Sequence, residues 1–315
     1  MAQKIQRIQK KKKTKKSHVA IPFLLTLIFG IVILGSIAMY LFNHIGINQE
    51  HTVEWNSTVV KPTADDNMTI LFILKEEEAS KEPLTFMIAR ILPADKHILF
   101  ISFPANMLAV VDGRQDSLKG FFNSGGIISV EKALESEAGI HIDRYSILQS
   151  EGFQQICDIY GGVYYRVPQG IKGFEDTDAP QFLGARQIEK LMTYPFFKQG
   201  ESERCATAAD LMTTMINVTD SDKERLLASM DTNFKQLINK METDITAKDF
   251  NEHKSALRYM FTYGKNVGMF RLVTGEPGKE SDVYLLSSDF YRTVQEYFEK
   301  PAEVVTVASE EQEGE

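Results

Sequence analysis

Apolar and polar positions divide this chain into an unbroken apolar run near the N-terminus and a long patterned region after it. Ala20–Phe42 (AIPFLLTLIFGIVILGSIAMYLF) is 23 residues without Lys, Arg, His, Asp or Glu. From Met68 onward, short apolar runs alternate with segments of helical spacing. Met68–Leu74 (MTILFIL), Leu84–Leu92 (LTFMIARIL) and His97–Phe103 (HILFISF) predict buried strands, and Pro93-Ala94-Asp95-Lys96 between the last two predicts a hairpin. The pattern then predicts a helix over Ser129–Ala138, a strand over Tyr145–Leu148, a helix over Glu151–Tyr160 and a strand over Val163–Val167. Helices dominate from Gln187 to Tyr263. There Ser221 with Glu224, and Thr246 with Asp249, have capping-box spacing and mark two helix starts. Strands near Gly268–Val273 and Asp282–Leu286 and a helix over Ser288–Glu299 close the series. This alternation predicts an α/β domain, a central mixed sheet with helices on both faces.

The apolar run changes the picture of where that domain sits. About 20 apolar helical residues cross a bilayer core, so Ala20–Phe42 is long enough to span with some tilt. A charge at mid-bilayer costs roughly 3 kcal/mol, which accounts for the absence of Lys, Arg, Asp and Glu from residues 18–49. A cleaved signal peptide fits less well, because an h-region is about 7–15 residues long and no good A-x-A site follows. Residues 1–17 carry eight basic side chains and no acid, so the net −8 of the whole chain leaves −16 for residues from Glu50 onward. The positive-inside rule then predicts a cytoplasmic N-terminus and an external C-terminal part. The organisation expected is a basic tail at 1–17, a transmembrane helix at 18–42, a linker at 43–67, a folded domain at 68–300 and a disordered acidic tail at 301–315. The lipid bilayer is thus an expected partner and nucleic acid is not, since an external acidic domain cannot meet DNA. Hydrophobics at 43% and aromatics at 10% exclude a disordered chain, and two cysteines exclude a disulfide-dense scaffold. Cys157 and Cys205 would lie where a disulfide is permitted, yet two buried free thiols are the expectation.

Signatures of common chemistries are absent or weak. There is no Walker A loop, no G-x-G-x-x-G, no H-E-x-x-H and no C-x-x-C. His141 and Asp143 make the one close His–carboxylate pair and read as solvated. Ser129-Val130-Glu131-Lys132 matches S-x-x-K, but neither S-D-N nor K-T-G follows, so Ser129 reads as a helix cap. Glu76-Glu77-Glu78 reads as a solvated turn, with a cation site as the alternative.

From Pro83 to Pro168 the sequence resembles the external domain of the LytR–CpsA–Psr family, bacterial membrane-anchored enzymes that attach polyprenyl-linked glycopolymers to peptidoglycan. The resemblance rests on Ser102-Phe103-Pro104 after the hairpin and on Gly125-Gly126 before a helix. It continues in Gly139-Ile140-His141-Ile142-Asp143-Arg144-Tyr145 and in Glu151-Gly152-Phe153 followed by Asp158-Ile159-Tyr160-Gly161-Gly162-Val163 and Val167-Pro168. Thr246 to Phe298 is similar to the family's closing helix–strand–strand–helix unit, so the likeness spans roughly residues 68–300.

The resemblance implies a site where several arginines grip a pyrophosphate-linked lipid and acidic residues work with Mg²⁺. Such groups neutralise charge on a transferring phosphoryl group. Most of those positions differ here. The family's "RSDT" falls on Glu82, Pro83, Leu84 and Thr85, and its "PRD" on Pro104, Ala105 and Asn106. Its "Q-A-L-x-Y-x-R-x-R" falls on Gln187 through Pro195, so Thr193 and Pro195 replace arginines. Its "D-x-x-R-x-x-R-Q-Q" falls on Glu201 through Ala209, which keeps Arg204 and replaces the second arginine by Thr207. Arg204 is the phosphate-binding candidate and Glu76 the cation-binding candidate, and each also reads as an ordinary surface ion-pair member. No catalytic residue is assigned, and Mg²⁺ is expected only if the family activity persists. The expectation is a catalytically degenerate envelope protein that binds a polyprenyl-linked glycolipid or a wall-synthesis protein. The alternative is an active phosphotransferase moving a polyprenyl-pyrophosphate-linked glycopolymer onto peptidoglycan.

Overall fold

The computed structural model describes residues 60–75, 85–278 and 283–298. Ala20–Phe42, both charged tails and most of the expected linker lie outside the described residues, as do Glu76, Glu82 and Leu84. No helix among the described residues is long and apolar enough to cross a membrane.

A 3-10 turn at Ala64–Asp66, capped by Thr63, leads into β1 (Met68–Leu74), β2 (Thr85–Leu92) and β3 (His97–Phe103). β4 (Leu108–Val111) and β5 (Arg114–Ser117) form a small ribbon, followed by α1 (Leu118–Ala138), β6 (Arg144–Leu148) and α2 (Ser150–Tyr160). A second ribbon, β7 (Val163–Tyr165) with β8 (Gln181–Leu183), precedes α3 (Ala185–Met192) and α4 (Glu201–Ile216). Next come α5 (Asp220–Ala228), α6 (Met230–Leu237), β9 (Met241–Thr243) and α7 (Ala247–Tyr263). β10 (Gly268–Phe270), β11 (Gly275–Pro277), β12 (Tyr284–Leu286) and α8 (Ser288–Phe298) close the described chain.

The main sheet has the order β10-β3-β2-β1-β6-β9. β1, β2 and β3 pair antiparallel, β6 runs parallel to β1, β10 runs parallel to β3, and β9 returns antiparallel to β6. The mixed sheet expected from the alternation is therefore present. Its central strands read as continuous apolar runs because both faces are covered. Leu71, Ile73, Phe86, Ile88, Leu99 and Ile101 face α1 and α8, where Phe103 meets Phe290 edge to face at 5.7 Å. Leu74, Met87, Ala89, Ile98 and Phe100 point the other way, toward α2, α3, α4 and α7.

Two helix starts differ from the sequence expectation. α1 begins at Leu118, capped by the Ser117 hydroxyl, which accepts from Gly120 N at 3.1 Å. Ser129 therefore lies inside α1. The helical spacing visible from Ser129 belongs to its second half, which follows a break at Gly126 (φ 64, ψ −153), a conformation glycine adopts without a Cβ penalty. α5 is capped by Thr219, whose hydroxyl accepts from Asp222 N at 3.3 Å, and not by Ser221. Two overlapping Ser/Thr-x-x-acid spacings compete there, and the earlier one closes the turn. The Thr246–Asp249 capping box stands as expected.

Asp249 also ties α7 to the sheet. One carboxylate oxygen accepts from Arg144 of β6 at 2.6 Å, and the other accepts from Thr246 N and Oγ1 at 2.8 and 2.6 Å. The Arg144 guanidinium, then Thr246, hold this carboxyl well below the usual carboxylate range. A depressed folded-state value stabilises the fold above the ordinary carboxylate pKa of about 3.9, and the stabilisation is lost as the pH falls from there through the depressed value. We expect Asp249→Asn to cost about 1–3 kcal/mol at pH 7, and the gap from the parent to narrow at pH 3. Urea titrations at the two pH values check this.

Candidate functional site

β1 ends, β2 begins and β3 leaves the sheet along one edge, and α4 starts there. Gly200 turns the chain at φ 73 and ψ −149, after which Glu201 and Arg204 fall one turn apart on the same face of α4. Glu201 and Glu203 in the first turn also match the positive end of the helix dipole.

Arg204 is buried, with 1% of its surface exposed. Its Nε donates to Glu201 at 2.7 Å and its Nη2 donates to the other Glu201 oxygen at 2.5 Å. Nη1 donates to Thr85 Oγ1 at 3.0 Å and to the Met192 carbonyl at 3.3 Å, while Nη2 also reaches Cys205 Sγ at 3.8 Å. A guanidinium has five N–H donors, and here each has an acceptor. Glu201 accepts a further bond from Ala105 N at 2.9 Å, and Thr85 Oγ1 donates to the Met192 carbonyl at 3.1 Å. The network joins the first residue of β2, the turn after β3, the last residue of α3 and the first turn of α4. Burial alone would raise the Glu201 carboxyl, but Arg204 and the Ala105 amide bring it below its ordinary value. Burial likewise opposes the charge on Arg204, whose value is nonetheless raised beside Glu201. Both groups are charged at neutral pH.

This corrects the reading of Arg204 as an ordinary surface ion-pair member. Its guanidinium lies under the surface and its partner is Glu201, three residues earlier. The positions where the resemblance implied catalytic charge come together only in part. Ala105 is buried and supplies its amide to Glu201. Thr193 is buried beside the Met192 carbonyl, and its hydroxyl donates to the Glu189 carbonyl at 3.0 Å. Asn106 is half-buried, with Oδ1 lacking a hydrogen-bond partner. Thr207 is buried one turn farther along α4, and Pro195 is exposed. Glu201, Thr85 and Met192 complete the site. The E-x-x-R spacing of Glu201 and Arg204 was visible in the sequence, but the Met192 carbonyl carries no signal there.

Mg²⁺ takes about six oxygen ligands at close range. The carboxylate in this network, Glu201, is already engaged by Arg204 and Ala105, so the described residues do not fit such an ion. Elsewhere among the described residues, no group of three His, Cys, Asp or Glu side chains is placed to hold a metal. Nor is either cysteine reactive, since burial pushes the Cys157 thiol to about 12 and the Cys205 thiol to about 11, and both are free.

Under the face of the sheet that carries Met87 and Ala89 lies an apolar cavity of about 170 Å³. Thr85 and Met192, which hold Arg204, are in its wall. A second cavity, of about 280 Å³, runs on beneath α6 and α7, lined by Phe234, Leu237, Phe250 and Leu257. The two share Phe72, Ile91, Ile156 and Tyr160 as wall residues, so they adjoin under the same face of the sheet.

Fold and cavities together define a class, a mixed-sheet α/β domain with two adjoining apolar cavities along one face of the sheet and a buried polar network beside the first of them. The chain belongs to the LytR_cpsA_psr family, whose sequence model matches residues 41–269. Solved structures share the fold at low identity. A Eubacterium siraeum protein described as a candidate transcription regulator superposes with a TM-score of 0.64 at 20% identity, covering 76% of this chain and 93% of its own. B. subtilis TagV gives 0.57 at 16% identity, with 75% and 98% covered. TagT, solved bound to LI-WTA, gives 0.57 at 13% identity, with 73% and 88% covered. No curated protein matches the chain in sequence.

Removing one member of a buried ion pair strands the other, at a cost of about 3–5 kcal/mol. We expect Arg204→Ala to destabilise the fold by that amount, and the double variant Arg204→Met with Glu201→Leu to recover most of it. Denaturant midpoints of parent, single and double variants measure the difference.

Proposed function

We propose that this chain is a membrane-anchored member of its family that holds a lipid tail in a tunnel formed by the two adjoining cavities and has lost the family's phosphoryl transfer. The family is known for transferring wall glycopolymers to peptidoglycan. In this reading Ala20–Phe42 spans the cell membrane, the basic tail stays in the cytoplasm and the domain works at the outer face on a polyprenyl-linked glycolipid.

The observation that carries the reading is the apolar tunnel and the state of its polar end. Two adjoining cavities of about 170 and 280 Å³, lined mainly by aliphatic, methionine and aromatic side chains, suit an extended hydrocarbon chain. A water-filled tunnel of that composition would be unstable, whereas a lipid tail fills it without stranding polar groups. Against transfer stands the network at the tunnel's end. A phosphoryl-transfer site places cationic donors where charge develops, and losing one such donor typically costs about 10²–10³ in rate. Here the guanidinium present is fully bonded within the protein, and Ala105, Asn106, Thr193 and Thr207 stand where the resemblance implied charge. The family likeness of TagT, solved bound to LI-WTA, is consistent with a wall-polymer lipid as the natural occupant.

The test uses the full chain in phosphatidylcholine nanodiscs with a photoreactive polyprenyl probe. We expect crosslinks on Phe72, Ile156 and Tyr160. Ile156→Trp, which fills the junction of the two cavities, should reduce labelling at least tenfold with a melting temperature within a few degrees of the parent. Polymer transfer to peptidoglycan fragments should be absent with or without Mg²⁺. Mg²⁺-dependent transfer by the parent chain would establish the active phosphotransferase instead.

A further inference from the structure

We infer that α6 is a hinged wall of the second cavity, that it swings outward to admit the lipid tail, and that the ion pair between Asp231 and Lys254 holds it shut. The inference rests on the lipid-tail reading above and specifies how that ligand enters. The three helices around this cavity differ in how they are held. α2 buries Ser150, Gly152, Phe153 and Cys157, and α7 buries Asp249, Ala256 and Met260, whereas α6 buries no residue. Yet Phe234 and Leu237 of α6, and Ile238 just after it, line the cavity together with Ile156 of α2 and Leu257 of α7. A helix that supplies cavity wall but no deeply packed side chain belongs to the segments that open at the lowest cost.

The elements on either side of α6 are fixed by contrast. In α5 the buried Lys223 ammonium donates to the Gly264 and Lys265 carbonyls at 2.9 and 2.8 Å, and Arg225 donates to the Ile159 carbonyl at 2.9 Å. After α6, β9 is paired with β6 in the main sheet. Ser229, at φ −98 and ψ 6, separates α5 from α6, and the 3-10 turn Ile238–Lys240 separates α6 from β9. Two breaks in helical geometry around one short rigid segment are hinge positions, because a few residues at element ends absorb the change in backbone angles.

The contacts that keep α6 closed are of modest strength. Asp231 accepts from Lys254 Nζ of α7 with both oxygens at 2.5 Å, and Arg258 Nη2 lies 3.8 Å away. Phe234 stacks on Phe250 at 4.2 Å, and Gln155 of α2 donates to Gln236 at 3.4 Å. With side chains 46% and 28% exposed, Asp231 and Lys254 form a pair that solvent weakens. Such a latch holds a wall shut without fixing it there. Releasing it uncovers Phe250 and Leu257, cavity-lining residues of α7, to an arriving hydrocarbon chain.

The test follows the full chain in phosphatidylcholine nanodiscs by hydrogen exchange and by time-resolved labelling with the photoreactive polyprenyl probe. In the free chain we expect the amides of Phe234–Leu237 to exchange about tenfold faster, or more, than those of the α2 and α7 interiors, and bound probe to slow them. Asp231→Asn should raise both this exchange and the labelling rate about threefold, and Asp231→Glu should restore the parent rates. A gate changes entry and exit alike, so the affinity for the probe at equilibrium should stay the same, whereas general damage to the cavity would weaken it. Exchange of α6 no faster than that of α2 and α7 overturns the inference, and so does a folded Asp231→Asn chain that labels at the parent rate. Either result leaves the lipid-tail reading intact as long as Phe72, Ile156 and Tyr160 are labelled at equilibrium. If Asp231→Asn does not fold, the exchange of the parent chain alone decides. Absence of labelling at equilibrium overturns the lipid-tail reading and the inference together.

Discussion

A guanidinium removed from water has to find acceptors for every N–H and an opposite charge close by, or the fold around it does not persist. Arg204 meets that demand with Glu201, Thr85 and the Met192 carbonyl, and so joins β2, α3 and α4, while Glu201 accepts from the Ala105 amide and adds the turn after β3. Four segments are held together at the edge of the sheet by one ion pair. The same bonds give every N–H of the guanidinium an acceptor within the protein.

Behind that edge the sheet separates two environments. On the α1 and α8 side the core is tightly closed, with Phe86, Phe103 and Phe290 fully buried. On the other side the helices stand away from the strands enough to leave the tunnel. α6 contributes no fully buried residue, although Phe234 and Leu237 line the cavity beneath it. Phe234 stacks on Phe250 of α7 at 4.2 Å, so this wall rests on aromatic contact more than on deep packing. The asymmetry follows from side-chain choice. Ala89 and the flexible Met87, Met212 and Met215 line the open side, where larger branched residues at matching positions would close it.

Much of the sheet was legible in the chain. β1 and β3 fall at the predicted residues, and β2 within one residue of its predicted start, because strands buried on both faces must be continuously apolar and the hairpin needs a break such as Pro93–Lys96. Helix ends were less legible. Ser129 and Ser221 offered plausible caps, but Ser117 and Thr219 took the role, since a cap is chosen by the backbone geometry that precedes it. Of the site, the substituted positions could be read from the family resemblance and Arg204 could be singled out. Its burial could not, because a lone arginine in a polar helix reads as exposed until the packing against α3 and β2 is known.

The sequence by itself determined the charge layout, the continuous apolar strands and the family resemblance, since all of these are properties of residue order. Only the tertiary structure decided that Arg204 is paired with Glu201, that Thr85 and Met192 serve both the ion pair and a cavity wall, and that the two cavities adjoin at Ile156 and Tyr160. The physical reason is that hydrogen-bond saturation and cavity volume depend on groups far apart along the chain. Whether a donor is free, or a space is empty, is settled by what folds against it.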